Sequence, residues 1–336
     1  MTQASRGDAT LGLAEHAGYL IEVAGRAPSV NNTQPWRFKV GEQAIELYAD
    51  TGRQLLEDPA GREMLISCGA ALYGLRLGIR SLGYRPEVEL FPGPALARVR
   101  PGYPAPITSD ERKLLQAVPH RHTHRGPFEP GPLPAGLLTR LRQDAAAEGA
   151  TLYVVDTEPA YRKLTAILAT WSRVQDLYPT SRAGMQSRTE TERWTREAGS
   201  QASDGVPAHA FPGGPGRQAG GLPQRNFDLG RGWGLLPTGG PRAPVTAILL
   251  TSGDHQDDWL RAGQALQRLL LRAASSCLRQ PADPAAAGAG DPRTDPGPAG
   301  PARLPADAAP AGPGPDHAPH RPPARERAGR AKVGRR

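Results

Sequence analysis

Two short stretches carry side chains whose types and spacing suit chemistry. Residues 28 to 36 read "PSVNNTQPW". Two prolines fix the backbone on either side of a run of hydroxyls and amides, which donate and accept hydrogen bonds without carrying charge. A stiff, polar, neutral loop could hold a partner through hydrogen bonds; the plainer reading is a capped turn that leads Trp36 into a core strand. Residues 121 to 128 read "RHTHRGPF". Arg121 and Arg125 can hold an anion such as a phosphate through bidentate, charge-assisted bonds, with the Thr123 hydroxyl beside them. His120, His122 and His124 alternate as on one face of a strand, a spacing that could also suit a metal. The flanking arginines repel a cation, and no carboxylate within the stretch completes a ligand set. An anion fits better, and no metal is expected.

The elements that must position these groups can be read from the same chain. Residues 63–82, "EMLISCGAALYGLRLGIRSL", and 257–276, "DDWLRAGQALQRLLLRAASS", lie over one another at a constant offset that sets Gly69 on Gly263 and Leu75 on Leu269. Both have helical apolar spacing that is nearly all-round, as for helices buried on most sides. Each follows a strand-like run, "AIELYAD" and "VTAILLTSG". The pattern predicts an internal duplication, with a first half over 1–115 and a second over 116–280. The first half is expected to contain a helix at 11–25, the polar loop, a strand pair at 37–49, the buried helix and a strand at 86–91. The second is expected to contain a helix near 134–147, the strand "TLYVVD", a long helix from Pro159 to Asp176, then a strand and the second buried helix. The Gly/Pro-rich segment 204–241 is too long for a tight connection and reads as a lid.

Composition narrows the function classes. The chain has 336 residues, 40 of them glycine and 36 proline, and a net charge of +8. Residues 281–336 hold thirteen prolines and only Leu304 and Val333 as large aliphatics, so this tail is expected to be disordered. Its Ala/Pro/Gly/Arg composition is what a GC-rich gene yields when read out of frame, so a frameshift near residue 279 is its expected origin. The tail contributes +3 of the charge, with its basic run at the very end and no aromatics interleaved, so specific nucleic-acid binding is not expected. Cys68 and Cys277 are the only cysteines, both in apolar helical patterns and read as small core residues. No apolar run approaches a membrane span and the first residues are polar, which points to the cytoplasm.

The loop Pro28 to Trp36 resembles the P-S-x-x-N-x-Q-P-W signature of flavin-dependent nitroreductases. The segment Arg121 to Phe128 resembles that family's R-x-S-x-[RK]-x-F, with Thr123 where Ser is usual. The segments "DGVPAHAF" at 204–211 and "DDWLRAGQALQRLLLRAA" at 257–274 resemble the actinobacterial Acg-type branch. The resemblance implies an α+β nitroreductase-like fold in which two tandem halves form a pseudo-dimer within one chain, so that a monomer acts as a fused dimer. It implies one FMN between the halves: Arg121, His122, Thr123 and Arg125 on the phosphate side, and Pro28, Ser29, Val30, Asn32 and Gln34 against the ring. NAD(P)H would be the electron donor and a small nitroaromatic or quinone-like molecule the acceptor. The branch also implies an alternative, an FMN-sequestering stress protein whose lid prevents turnover.

Overall fold

A computed structural model describes residues 12–123, 132–177, 195–196, 204–207 and 245–277. The chain divides into units 1–281 and 282–336, and every described residue belongs to the first. Helix α1 (Leu13–Gly25) leads through the polar loop into β1 (Trp36–Val40) and β2 (Ile45–Ala49). Helix α2 (Arg62–Ser81) follows, then β3 (Tyr84–Leu90), β4 (Ala97–Pro104) and α3 (Ser109–Ala117). Beyond these lie α4 (Leu137–Ala147), β5 (Thr151–Val155) and α5 (Glu158–Leu177). Two-residue strands β6 (Thr195–Arg196) and β7 (Val206–Pro207) pair in parallel, and β8 (Thr246–Leu250) precedes α6 (Gln256–Cys277). The architecture is α+β.

Strands β1 to β4 form one antiparallel sheet in the order β1-β2-β4-β3, with Ile45 opposite Val99 and Leu47 opposite Ala97. The alternation in β2 and β4 sends these four side chains to one face, where they join Leu72, Leu75 and Ile79 of α2 in a fully buried core. Strands β5 and β8 pair antiparallel in a separate sheet. Neither β4 nor α3 was expected from the sequence. Helix α3 is set by a capping box, in which Thr108 Oγ1 accepts from Glu111 N while Glu111 accepts from Thr108 N. It runs through residue 115, so the division expected there falls inside a helix.

Helices α2 and α6 lie side by side and parallel. Near their N-termini Arg62 pairs with Asp254 and stacks over Trp259. Midway, a Cβ on Gly69 would overlap the Leu260 carbonyl, and one on Gly263 would overlap the Ile66 carbonyl. Only glycine allows backbones this close. At the offset that lays Gly69 on Gly263, Ile66 falls on Leu260, so the two overlaps are the same contact seen from each helix. Further along, Tyr73 and Leu77 share a buried cluster with Leu271.

The flank of this pair is ionic. Asp144 of α4 accepts from Arg268 Nε (2.8 Å) and Arg272 Nε (2.7 Å). Glu148 accepts from Arg76 Nη1 (2.6 Å) and Arg268 Nη1 (3.0 Å), and Asp110 of α3 completes the set through Arg272. Three arginines face three carboxylates, a balance that an interior network requires. Asp258, in the first turn of α6, accepts from His255 N at 3.2 Å and so satisfies a backbone donor at the helix start.

Candidate functional site

The polar loop is built around an unusual backbone. Asn31, Asn32 and Gln34 have φ of 52, 54 and 50°, the left-handed region that asparagine tolerates and glutamine seldom enters. Each such residue stores on the order of 1–3 kcal/mol unless its surroundings hold it. Ser29 closes the turn from within: its Oγ accepts from Gln34 N at 3.0 Å and its carbonyl from Asn32 N at 3.0 Å. Pro28, Ser29, Val30, Asn32 and Gln34 are half-buried, while Asn31, Thr33 and Pro35 are buried.

The basic segment reaches this loop. Helix α3 packs on α2 and α6, and a turn after it brings Arg121 N onto Ala117 O at 2.9 Å. The Arg121 guanidinium then crosses to the end of α1, where Nη2 donates to Arg26 O at 3.2 Å. Its Nε is buried and has no acceptor among the described residues. Burial, with no carboxylate among the described residues to offset it, lowers the Arg121 pKa from its ordinary value. A partly desolvated guanidinium without a counter-charge among the described residues, bonded to the carbonyl two positions before Pro28 in the chain, fits a phosphate ligand. His122 and Thr123 follow on the surface, the ring Nδ1 of His122 lying 3.1 Å from His120 O. Arg125, His124 and Phe128 lie outside the described residues, as do residues 208–241 of the expected lid, the tail 281–336 and the Cys277 side chain.

Three further residues, with Asp204 behind one of them, meet the loop without any signal in the two motifs. Gly205 N donates to Asn32 O at 3.1 Å, and Asn32 Nδ2 donates to Gly205 O at 3.0 Å. Arg53 Nη1 donates both to Thr33 O and to Asp204 Oδ2, each at 2.8 Å. Cys68 of α2, fully buried, donates its thiol to Pro35 O at 3.2 Å. On the inner side, Val30, Thr33 and Pro35 meet Arg53, Asp58 and Ser67 around a cavity of only about 10 Å³. These contacts tie Asp204 and Gly205, far away in the chain, to the same surface as the loop. No described helix is long and apolar enough to cross a membrane.

Comparison with known proteins bears on the whole arrangement. No family model matches the chain. A Mycobacterium tuberculosis protein named "Putative NAD(P)H nitroreductase" is 34% identical over 273 residues, which is 77% of this chain and 73% of the relative. A second protein of that organism, uncharacterized, is 31% identical over 269 residues, covering 75% of this chain and 73% of its own length. A third, the nitroreductase named acg, is 28% identical over 263 residues, or 75% of each chain. With relatives of this kind matched over most of their length, the chain belongs to the nitroreductase-like oxidoreductase family, in its Acg-type branch.

Proposed function

We propose that this protein is an FMN-dependent NAD(P)H oxidoreductase that reduces nitroaromatic or quinone-like small molecules, working as a monomer whose two tandem halves stand in for a dimer. The observation that carries the reading is Arg121, a half-buried arginine whose buried Nε has no acceptor among the described residues, bonded to the end of α1 just before the loop. Arg121, with Thr123 and Arg125, would hold the flavin phosphate, and the His122 backbone would follow its path. Pro28, Ser29, Val30, Asn32 and Gln34 would meet the ring with neutral groups, as its carbonyls and nitrogens need. When bound, FMN supplies the redox chemistry between NAD(P)H and the acceptor; the chain's own task is orientation and electrostatics. The reciprocal approach of Gly69 and Gly263 supports the tandem-half reading, since a two-fold relation between repeats produces a contact that is the same from both sides.

The pairing of Gly205 with Asn32 favours a second reading, in which the segment beginning at Asp204 stays over the loop and the protein stores flavin with little turnover. A visible spectrum of the purified protein, recorded anaerobically with and without NADPH, decides between them. Flavin bands that bleach support the oxidoreductase, and bands that persist support storage. A protein with no bands, even after incubation with FMN, refutes both.

A further inference from the structure

Gln34 sits between two carbonyls that are each held from outside the loop. Thr33 O accepts from Arg53 Nη1 at 2.8 Å. Pro35 O accepts from Asp50 N at 3.0 Å and from the Cys68 thiol at 3.2 Å. Arg53 is itself pinned by Asp204 at 2.8 Å and by Asp50 at 3.6 Å. Burial, reinforced by the charge of Asp50, pushes the Cys68 thiol up to about 12, so it keeps its proton and stays a donor at neutral pH. Between these two anchors Gln34 keeps a φ of 50°, a conformation that persists only where the surroundings over-determine it.

We propose that Arg53 and Cys68 are positioning residues for the ring-binding loop, clamping the carbonyls on either side of Gln34 so that Ser29 to Gln34 keep one shape. The inference rests on the flavin reading above. Neither residue touches the ligand in this role. Cys68 is enclosed in the core, and the Arg53 guanidinium is taken up by Thr33, Asp50 and Asp204. Without the clamp the loop relaxes toward commoner backbone conformations, and the apparent dissociation constant rises as the competent fraction falls. Because the clamp acts on the loop that meets the ring, riboflavin and FMN lose affinity together.

The test compares Arg53→Met, Cys68→Ala and Cys68→Ser by titration with riboflavin and FMN, alongside hydrogen exchange of the peptide spanning residues 29–36 in the flavin-free protein. Arg53→Met keeps the stem and removes the fork; it is expected to weaken both flavins about tenfold and to speed exchange in that peptide. Cys68→Ala is expected to weaken both about threefold, and Cys68→Ser, which restores a donor, to return them to within about twofold of the parent. Folded variants that match the parent in both titrations and in exchange overturn the positioning role alone. Loss of FMN with riboflavin untouched also overturns it, because Arg53 would then be acting on the phosphate. A parent that binds neither flavin takes down the flavin reading and this role together.

Discussion

Arg121→Ala separates an arginine that holds a ligand from one that merely caps α1. Its one side-chain bond among the described residues is the 3.2 Å contact with Arg26 O, where a charged donor meets a neutral carbonyl at an exposed residue. Losing such a bond costs about 1.5 kcal/mol at most, given its length and exposure. Against this stands the guanidinium's desolvation, which no carboxylate among the described residues offsets and which alanine relieves. The two effects oppose each other at similar size, so unfolding free energy should move by less than about 1 kcal/mol, a few degrees in Tm. The ligand tells a different story. A phosphate that accepts from Nε forms a charge-assisted bond, and its loss is about 1.5–3 kcal/mol, or roughly ten- to a hundredfold in FMN affinity. Riboflavin, which has the ring and lacks the phosphate, should bind the variant as it binds the parent. Fluorescence titration of both flavins and a thermal melt make the measurement. If the two flavins weaken equally, or Tm falls by more than about 8 °C, Arg121 is holding α1 in place and the phosphate assignment is wrong.

Three other outcomes follow from the packing. Asp144→Ala should lose about 3–5 kcal/mol in urea unfolding, because Arg268 and Arg272 keep their charges and lose the buried carboxylate between them; a loss under about 1 kcal/mol would show that the network carries little. Gln267 is fully buried with neither amide atom partnered among the described residues, so Gln267→Leu should stabilise the protein by about 1–2 kcal/mol, and a destabilised variant would reveal a partner such as an enclosed water. Desolvation raises the Glu111 pKa, but bonds from Arg80 and Thr108 outweigh it and hold the carboxyl at about 2 against an ordinary 4.5. Since the folded pKa is the lower one, this stabilisation is complete above about pH 4.5 and is lost as the pH falls toward 2, so Glu111→Gln should flatten the Tm profile across that window; parallel profiles for parent and variant would reject it.

The long helices were legible because their apolar and small residues recur at helical spacing: fourteen of the twenty residues of α2 are buried. Strand β4 was not, since its apolar positions are the modest Ala97 and Val99, set between arginines and followed by Pro101 and Pro104. Helix α3 hid for a similar reason, with Leu114 and Ala117 as its buried residues; only the Thr108–Glu111 spacing marks its start. At the site, both motifs could be picked out through their family resemblance, and the bond from Arg121 to the end of α1 follows from α3 packing against the α2–α6 pair. What could not be read is the support. Arg53, Cys68 and Gly205 meet the loop through its backbone carbonyls and amides, which every residue possesses, so their sequence neighbours leave no trace of the pairing.

The close seam between α2 and α6 also sets a schedule for synthesis. Helix α2 is finished at Ser81, whereas its partner begins only at Gln256. At the usual pace of about 5–20 residues per second, roughly 10–35 s of translation separate the two. Throughout that interval the face carrying Gly69, Tyr73 and Leu77 has left the ribosome without the surface it was shaped to meet. A ribosome that pauses before Gln256 therefore offers that face to chaperones, or to the same face on a neighbouring nascent chain.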